Sequence, residues 1–230
     1  MDRKLSPIIK PEELLNLRGE ENLLIFDASN NTNAQANYAA GHLKGAFFVD
    51  VNSHLADIKL TAKDGGRHPL PSAKKFCTTL EELGISRKSH VVVYDDKQGA
   101  NAAARFWWML KAVGHEKVQV LDGGFDAAVS AGFPLSDSPE RIERGKYECA
   151  QWNLPVADLV EVEKASGDQS FLIIDVREPA RFNGEIEPYD KIAGHIPNAK
   201  NIYFGENLNE KGCFLKPEML REKYEKQLKN

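Results

Sequence analysis

Two short segments of the chain share a sequence pattern, and each follows an apolar run that ends in aspartate. AGHLKGA occupies residues 40–46, and AGHIPNA occupies residues 193–199. The first follows LLIF and Asp27, and the second follows FLII and Asp175. The repeated order of apolar strand, aspartate, loop and AGH turn predicts a duplicated domain, because self-similarity at a fixed spacing marks a repeated structural unit.

Helical patterns flank both copies. PEELLNLRG at 11–19 and PVADLVEVEKASG at 155–167 precede the two strands, open with proline and end at glycine, as helices often do. Segments 70–84 and 216–230 follow the AGH turns; in the first, Ser72 is a predicted N-cap and Gly84 marks the end. Helices that alternate with apolar strands predict an α/β fold of parallel sheets flanked by helices.

The two halves differ after the second helix. The first half continues with the apolar run HVVVYDD, the helical pattern NAAARFWWMLKAVGH and the run VQVLDGG, and the second half contains no counterpart. Aligning Pro71 with Pro217 places the equivalent of Tyr94 and Asp95 at about residue 240. We therefore expect an incomplete second repeat whose uncovered sheet edge self-associates or leans on the first domain.

Composition excludes several classes of protein. Of 230 residues, 42% are hydrophobic and 28% are charged, and the net charge is −4, so neither nucleic acid nor an acidic membrane is an expected partner. No apolar run reaches membrane-helix length, and the N-terminus does not resemble a secretory signal. The three cysteines form no CxxC, which indicates neither a disulfide framework nor a zinc site, and we expect a cytoplasmic protein without metal or cofactor.

The loop DDKQGAN follows a predicted strand and precedes a helix, where ligands usually bind in such sheets. Its Asp95 and Asp96, beside Lys97, could form a metal or acid–base site. The alternative is a polar loop whose carboxylates cap the following helix. His42 and His195 are open to two interpretations in the same way: they are ligands or bases, or each binds a neighbouring backbone group in its own turn.

An arginine pair distinguishes the second half from the first. In DVREPARF, Arg177 and Arg181 follow the predicted strand, whereas residues 27–38 contain no arginine. Two guanidinium groups at a strand end can bind an anion in bidentate geometry. This predicts an anion site in the second half; the alternative is a set of surface salt bridges.

Taken together, the motifs resemble those of the tandem-rhodanese sulfurtransferases, which act on thiosulfate or 3-mercaptopyruvate, and the resemblance covers almost the whole chain. The matching segments are AGHLKGA, GGRHPLPS, EELGIS, HVVVYDD, AARFWWMLKAVGH, VQVLDGGF and AGFPL in the first half, and IIDVREPARFNGEIEP and AGHIPNAKNI in the second. The resemblance implies two rhodanese-like domains: a catalytically silent one at 1–137, a polar linker at 138–152, and a second at 153–230 that is incomplete and lacks the active-site loop.

The resemblance also implies a mechanism. In this family a cysteine in a strand-to-helix loop of the second domain takes sulfane sulfur from a small anionic donor, holds it as a persulfide and passes it to a thiol or cyanide. Arg181 matches the arginine that contacts the anionic substrate, and Arg177 the arginine after the strand-end aspartate. Enzymes specialised for mercaptopyruvate carry a further arginine where this chain has Tyr189, which favours thiosulfate.

The cysteines depart from the family pattern. Cys77 lies within a predicted helix, Cys149 in the linker and Cys213 in a loop before the last helix, so none follows a strand and opens a helix. We therefore expect the nucleophile to lie beyond residue 230 and this chain to be inactive alone. The rival hypothesis is a non-catalytic rhodanese-like binding or regulatory module. A rhodanese-fold phosphatase would need a cysteine followed six positions later by arginine, a pair that the sequence lacks.

Overall fold

The chain folds into two compact units, the first ending at Leu154 and the second beginning at Pro155. The structure, a computed structural model, describes residues 5–61, 63 and 65–228. Within these residues, every helix is too short or too polar to cross a membrane.

The first unit contains seven strands and six helices among its described residues. The strands are β1 Ile8–Ile9, β2 Leu23–Asp27, β3 His42–Leu43, β4 Ala46–Phe48, β5 His90–Tyr94, β6 Val118–Leu121 and β7 Leu135–Ser136. The helices are α1 Pro11–Leu17, α2 Ala34–Ala40, α3 Val51–His54, α4 Ala73–Glu82, α5 Ala102–Ala112 and α6 Gly124–Ser130. Five strands form one parallel sheet in the order β1-β6-β5-β2-β4, and β3 pairs antiparallel with β7. The α/β prediction is confirmed.

Helices cover both faces of the five-stranded sheet. Adjacent residues of a strand point to opposite faces, and in β2 Ile25 joins a buried cluster with Leu14 of α1. The next residue, Phe26, packs edge-on against Phe106 of α5 at 5.6 Å between ring centroids. Phe106 in turn meets Phe76 of α4 at 6.2 Å. The central strands are therefore buried on both sides, which explains their continuous apolar sequence.

The ends of α4 follow the predicted capping pattern. The Ser72 hydroxyl accepts a hydrogen bond of 3.2 Å from the Lys75 backbone N–H. Gly84, just beyond the helix, has φ +71°, and a Cβ there would lie 2.8 Å from the carbonyl oxygen of Glu143. Both the backbone conformation and the close approach of the 138–152 segment favour glycine at this position.

The 138–152 segment, predicted to be a linker, packs along the first unit. The Gly145 N–H donates to the Glu81 carbonyl at 2.8 Å. The Trp152 ring stacks on Phe76 at 5.5 Å, and its indole N–H donates to the Pro71 carbonyl at 3.2 Å. Its polar, aperiodic composition marked it correctly as irregular backbone, but its few aromatic residues anchor it.

A disulfide joins this segment to α4, since Cys149 is bonded to Cys77. The sequence had indicated no disulfide framework, so this pair is a correction to that interpretation. They are 72 residues apart in sequence, yet their Cα atoms lie 6.1 Å apart, within the range of ordinary disulfides. The packing of the 138–152 segment brings the two cysteines together. Their spacing in the sequence does not predict this packing.

The second unit contains two strands and three helices among its described residues. They are α7 Leu159–Ser166, β8 Ile174–Asp175, α8 Pro179–Phe182, β9 Lys200–Asn201 and α9 Pro217–Leu228, with a 3₁₀ turn at Phe204–Asn207. The helix predicted from residue 155 begins later, because Asp158 and Glu161 form a capping box. The last two residues of the helix predicted at 216–230 lie outside the described residues.

The strand pairs of the two units share one register. In the first unit Phe26 lies opposite Phe47, which follows the alanine that closes AGHLKGA. In the second, Ile174 lies opposite Lys200, which follows the alanine that closes AGHIPNA. Both pairs are parallel, and in both the residue after the paired one is the strand-end aspartate.

The second unit exposes much apolar surface. Among its described residues, the buried apolar side chains are those of Ala199 and Ile202. By contrast, Phe171 is 62% exposed and Ile192 is 86% exposed. Strand β8 pairs with β9 alone, whereas its first-unit counterpart β2 lies between β4 and β5. The described part of this unit thus has a small core and a sheet edge without a neighbouring strand.

Candidate functional site

The loop after β5 surrounds a buried carboxylate with backbone donors. Asp95 is 1% exposed. One of its oxygens accepts from the N–H groups of Lys97 and Gly99, both at 2.8 Å. The other accepts from the N–H groups of Asn101 at 3.1 Å and Ala103 at 2.9 Å. The loop is an anion-binding cradle, and its own aspartate occupies it.

Local backbone geometry produces the cradle. Gln98 and Gly99 both have positive φ, at 55° and 85°, which turns the chain back on itself. Helix α5 then begins at Ala102, so N–H groups of the turn and of the first helical residues converge on one point. Such nests favour negative charge, as does the N-terminal end of the helix dipole.

The charges around this cradle are negative. Burial raises the pKa of Asp95, although the four backbone hydrogen bonds oppose this effect. Burial also raises the pKa of Asp27, at the end of the adjacent strand β2, against hydrogen bonds from Ser29. A cavity of ≈ 450 Å³ opens beside the loop, and its lining includes Asp27, Asp96 and Asp126. This cavity does not suit an anionic sulfur donor.

The two interpretations of the DDKQGAN loop can now be separated. Asp95 binds the backbone of its own loop and of the first turn of α5, which is the capping alternative. Asp96 accepts from the Asn31 side-chain amide at 2.8 Å. In the part of the chain that the structure describes, no group of three or more His, Cys, Asp and Glu side chains is arranged to hold a metal ion.

The two AGH histidines each serve their own turn. His42 Nδ1 lies 2.8 Å from the carbonyl oxygen of Tyr38, and its ring stacks on the Tyr38 ring at 4.0 Å. His195 Nδ1 lies 2.7 Å from the carbonyl oxygen of Phe182, and its ring stacks on Phe182 at 3.7 Å. The repeated arrangement supports the turn interpretation over ligands or bases.

Arg177, predicted to bind substrate, is held by the end of strand β8. Its Nε and Nη2 donate to the Asp175 carboxylate at 3.0 and 2.6 Å, and Nη2 also donates to the Gly194 carbonyl at 2.7 Å. Burial works against ionised Asp175, but the hydrogen bonds from Arg177 prevail and hold the pKa of Asp175 below its usual value. Arg177 also lines an open pocket of ≈ 410 Å³ together with residues 192–196.

Arg181, the second predicted substrate ligand, binds a carboxylate of its own unit. Its Nη2 donates to both oxygens of Glu187 at 2.9 Å, and Asp190 lies 3.4 Å away. The Glu187 side chain is 5% exposed. The guanidinium carbon also lies 5.1 Å from the centre of the Tyr189 ring. The structure therefore brings Arg177 and Arg181 together around Glu187, which is 3.6 Å from Nη1 of Arg177.

Sequence reasoning missed Glu187 and the disulfide. The signal for Glu187 was its place six residues after Arg181, with Gly184 between them at φ +76° to turn the chain back. The third cysteine lies where it was expected. Cys213 sits in a loop whose Asn209 N–H donates to the Cys213 carbonyl at 2.8 Å, and this loop follows the 3₁₀ turn and not a parallel strand.

A parallel sheet with a strand-to-helix anion cradle defines a class of α/β proteins that bind small groups at strand ends. The family model described as "Rhodanese-like domain" matches residues 10–131 and 158–229. The chain therefore belongs to the rhodanese-like domain family.

Curated relatives extend along most of the chain. It is 35% identical over 190 residues to a probable 3-mercaptopyruvate sulfurtransferase of Pseudomonas aeruginosa, covering 81% of this chain and 66% of the relative. It is 38% identical over 181 residues to the putative thiosulfate sulfurtransferase SseB of Mycobacterium tuberculosis, with coverages of 78% and 63%. The 3-mercaptopyruvate sulfurtransferase of Rattus norvegicus is 34% identical over 225 residues, with coverages of 91% and 72%. The chain thus spans about two thirds of the length of these relatives.

Solved structures agree with the fold. The crystal structure of SseA from Escherichia coli, described as a 3-mercaptopyruvate sulfotransferase with the rhodanese fold, matches with a TM-score of 0.79 at 27% identity, covering 95% of this chain and 82% of that one. The 3-mercaptopyruvate sulfurtransferase from Leishmania major matches with a TM-score of 0.72 at 28% identity, covering 94% and 60%.

Proposed function

We propose that this chain is part of a rhodanese-family sulfurtransferase. We also propose that its 230 residues do not catalyse sulfur transfer by themselves. The reaction moves sulfane sulfur from thiosulfate, or mercaptopyruvate, to a thiol or cyanide through a cysteine persulfide. The observation that carries the proposed inactivity is the position of the three cysteines: Cys77 and Cys149 are bonded to each other, and Cys213 lies outside any strand-to-helix loop of the described residues. In the first unit, the cradle that could stabilise a thiolate holds the Asp95 carboxylate instead.

The chemistry needs a thiolate at such a place. A thiolate attacks the donor sulfur and keeps it as a persulfide, and N–H groups and a helix N-terminus lower the pKa of the thiol that forms it. A carboxylate cannot hold sulfane sulfur in this way. Cys77 and Cys149 are bonded to each other, and Cys213 lies in a loop without a strand-to-helix cradle. A nucleophile additional to these three is therefore required for turnover.

The proposed donor-binding residues are Arg177 and Arg181. Both guanidinium groups already contact carboxylates, so an anionic donor competes with Glu187 for Arg181. Among the nitrogens of Arg177, Nη1 is the least engaged, because Glu187 lies 3.6 Å away, beyond hydrogen-bonding distance. We place the donor anion against this side of Arg177, where the open pocket reaches the guanidinium.

Thiosulfate is the proposed donor because of Tyr189. Its ring lies 5.1 Å from the guanidinium carbon of Arg181 and supplies no further cation for the carboxylate of mercaptopyruvate. Several relatives are named for mercaptopyruvate and others for thiosulfate, which supports a small anionic sulfur donor as the common feature.

A non-catalytic binding or regulatory module is the second candidate. The observation that favours it is the cluster around Arg177 and Arg181, in which three carboxylates, those of Asp175, Glu187 and Asp190, face two guanidinium groups. Such a cluster can fix the conformation of the loop around Glu187 without taking part in a reaction.

Cyanide-dependent thiocyanate formation separates the candidates. The assay is run with thiosulfate and with mercaptopyruvate, on this chain and on a polypeptide extended past residue 230 by the gene's own codons. Turnover by the extended polypeptide alone supports the sulfurtransferase. Absence of turnover in both, with no cysteine near the expected loop, favours the module. Turnover by the 230-residue chain at ordinary enzymatic rates refutes the proposed inactivity.

A further inference from the structure

The Cys77–Cys149 bond belongs to the first unit, whereas the proposed donor-binding arginines belong to the second, and its two cysteines differ in exposure. Cys77, in α4, is 5% exposed, whereas Cys149 is partly exposed on the segment that crosses the helix. A small thiol therefore meets Cys149 more readily than Cys77. Exposure of this kind distinguishes exchangeable disulfides from buried structural ones.

Contacts without sulfur hold the two cysteines opposite each other. On the N-terminal side of Cys149, the Tyr147 N–H donates to the Glu81 carboxylate at 3.3 Å. On its C-terminal side, the Trp152 indole N–H donates to the Pro71 carbonyl at 3.2 Å. The segment is thus anchored to the end of α4 and to the residues just before it. Breaking the S–S bond leaves both anchors, so the thiols remain close enough to re-form it.

The reduced state also has a hydrogen-bond acceptor in place. The carbonyl oxygen of Ala73 lies 3.4 Å from the Cys149 sulfur, where it can accept the S–H of the thiol. Arg87 fixes the same stretch independently, since it donates to the Glu148 carbonyl at 2.8 Å and lies over the Tyr147 ring at 4.5 Å. Reduction therefore removes one tether without removing the polar contacts around it.

We infer that Cys77 and Cys149 form a reversible thiol–disulfide site, which in its oxidised state locks residues 145–152 onto α4. In reduction, a small thiolate attacks the Cys149 sulfur, the S–S bond breaks, and Cys77 leaves with the electron pair and takes a proton. A second small thiolate then attacks the small-molecule sulfur of this mixed disulfide, and Cys149 leaves with the electron pair and takes a proton, which gives two protein thiols and one small-molecule disulfide. Oxidation by a small disulfide is the reverse exchange, so each step balances.

The site is independent of sulfur transfer. The cysteines lie in the first unit, whereas Arg177 and Arg181 lie in the second, and the exchange needs neither persulfide nor donor. The inference consequently does not depend on the proposed function, and its test does not use sulfurtransferase activity.

The first test equilibrates the full chain with graded ratios of reduced to oxidised glutathione, traps thiols by alkylation and maps the peptides by mass. We expect one reversible two-electron transition between a Cys77–Cys149 cross-linked peptide and two alkylated cysteines. Cys213→Ser should leave this transition unchanged, and Cys149→Ser should abolish it. The proposal is overturned if the cross-linked peptide is absent at every ratio, or if reduction abolishes the circular dichroism of the folded chain.

Limited trypsin digestion tests the lock itself. Lys146 is exposed and lies three residues before Cys149, whereas the exposed Arg141 lies outside the locked stretch. We expect reduction to accelerate cleavage after Lys146 several-fold and to leave cleavage after Arg141 unchanged. Cys213→Ser should behave like the parent chain. Equal cleavage after Lys146 in both redox states would rule out a redox-dependent lock.

Discussion

The Asp95 carboxylate accepts a hydrogen bond of 2.9 Å from the backbone N–H of Ala103, eight residues further along the chain. This bond joins the end of β5 to the first turn of α5. The same carboxylate accepts from three further backbone N–H groups, so each of these four donors has a hydrogen-bond partner. The family's strand-to-helix cradle is therefore a closed structural element in the first unit.

Replacement of Asp95 tests this interpretation. Asp95→Ala leaves four N–H groups without their acceptor in a site that is 1% exposed, so we expect a loss of about 2–4 kcal/mol in the free energy of unfolding. Urea denaturation followed by circular dichroism measures it. Asp96→Ala, next in sequence and less buried, is the matched control with a smaller loss. An Asp95→Ala variant as stable as the parent would show that the cradle does not need its carboxylate.

Glu187 should control how well Arg181 binds anions. Glu187→Gln keeps the shape of the side chain and removes the charge that competes with a donor, so we expect thiosulfate to bind several-fold more tightly. Isothermal titration calorimetry measures the affinity. Glu185→Gln is the control, because Glu185 accepts from Asn183 and not from an arginine. An equal change in both variants would mean that overall charge, and not release of Arg181, is responsible.

Burial of His115 should make the free energy of unfolding decrease as the pH falls. It is 1% exposed, its Nδ1 lies 3.1 Å from the Tyr147 hydroxyl, and burial lowers its pKa from 6.5 to about 4. Between pH 6.5 and pH 4, the His115 ring is protonated in the unfolded chain but stays neutral in the folded chain. The contribution of neutral His115 to the free energy of unfolding is therefore complete above pH 6.5. It falls by about 3 kcal/mol as the pH drops to 4.

Urea midpoints measured between pH 4 and pH 7 check this dependence. His115→Gln should flatten the curve in that window even if it lowers stability throughout. An unchanged slope in His115→Gln would assign the acid sensitivity to other groups.

The disulfide should stabilise the first unit. It closes a loop of 72 residues, for which the chain-entropy relation gives at most about 4 kcal/mol. Thermal unfolding with and without a reductant measures the contribution, and Cys77→Ser should match the reduced parent. If the oxidised and reduced chains melt at the same temperature, the cross-link does not constrain the unfolded state as described.

The elements with a local signal could be predicted from sequence. The strands ending at Asp27 and Tyr94 showed as apolar runs, Ser72 showed as a cap, and the AGH segments aligned the two halves in the register that the strand pairs adopt. Each of these features depends on residues close in sequence. The turn role of His42 and the capping role of Asp95 followed from position within such elements and were confirmed among the alternatives.

The features that sequence reasoning missed depend on contacts between distant residues. Cys77 meets Cys149 only because Trp152 and Tyr147 anchor the 138–152 segment, and no periodicity predicts such packing of an irregular segment. The pairing of Arg181 with Glu187 depends on the turn at Gly184, whose direction the composition does not determine. Helix α7 starts later than predicted because Asp158 caps it. The capping pattern of Asp158 and Glu161 was visible in the sequence.

The central claim is that none of the chain's three cysteines carries sulfane sulfur in catalysis. The most direct measurement is the intact mass of the 230-residue chain after incubation with thiosulfate, before and after addition of cyanide. The account predicts no added sulfur on Cys77, Cys149 or Cys213 and no thiocyanate. A chain heavier by one sulfur atom, which cyanide removes repeatedly with release of thiocyanate, would contradict it.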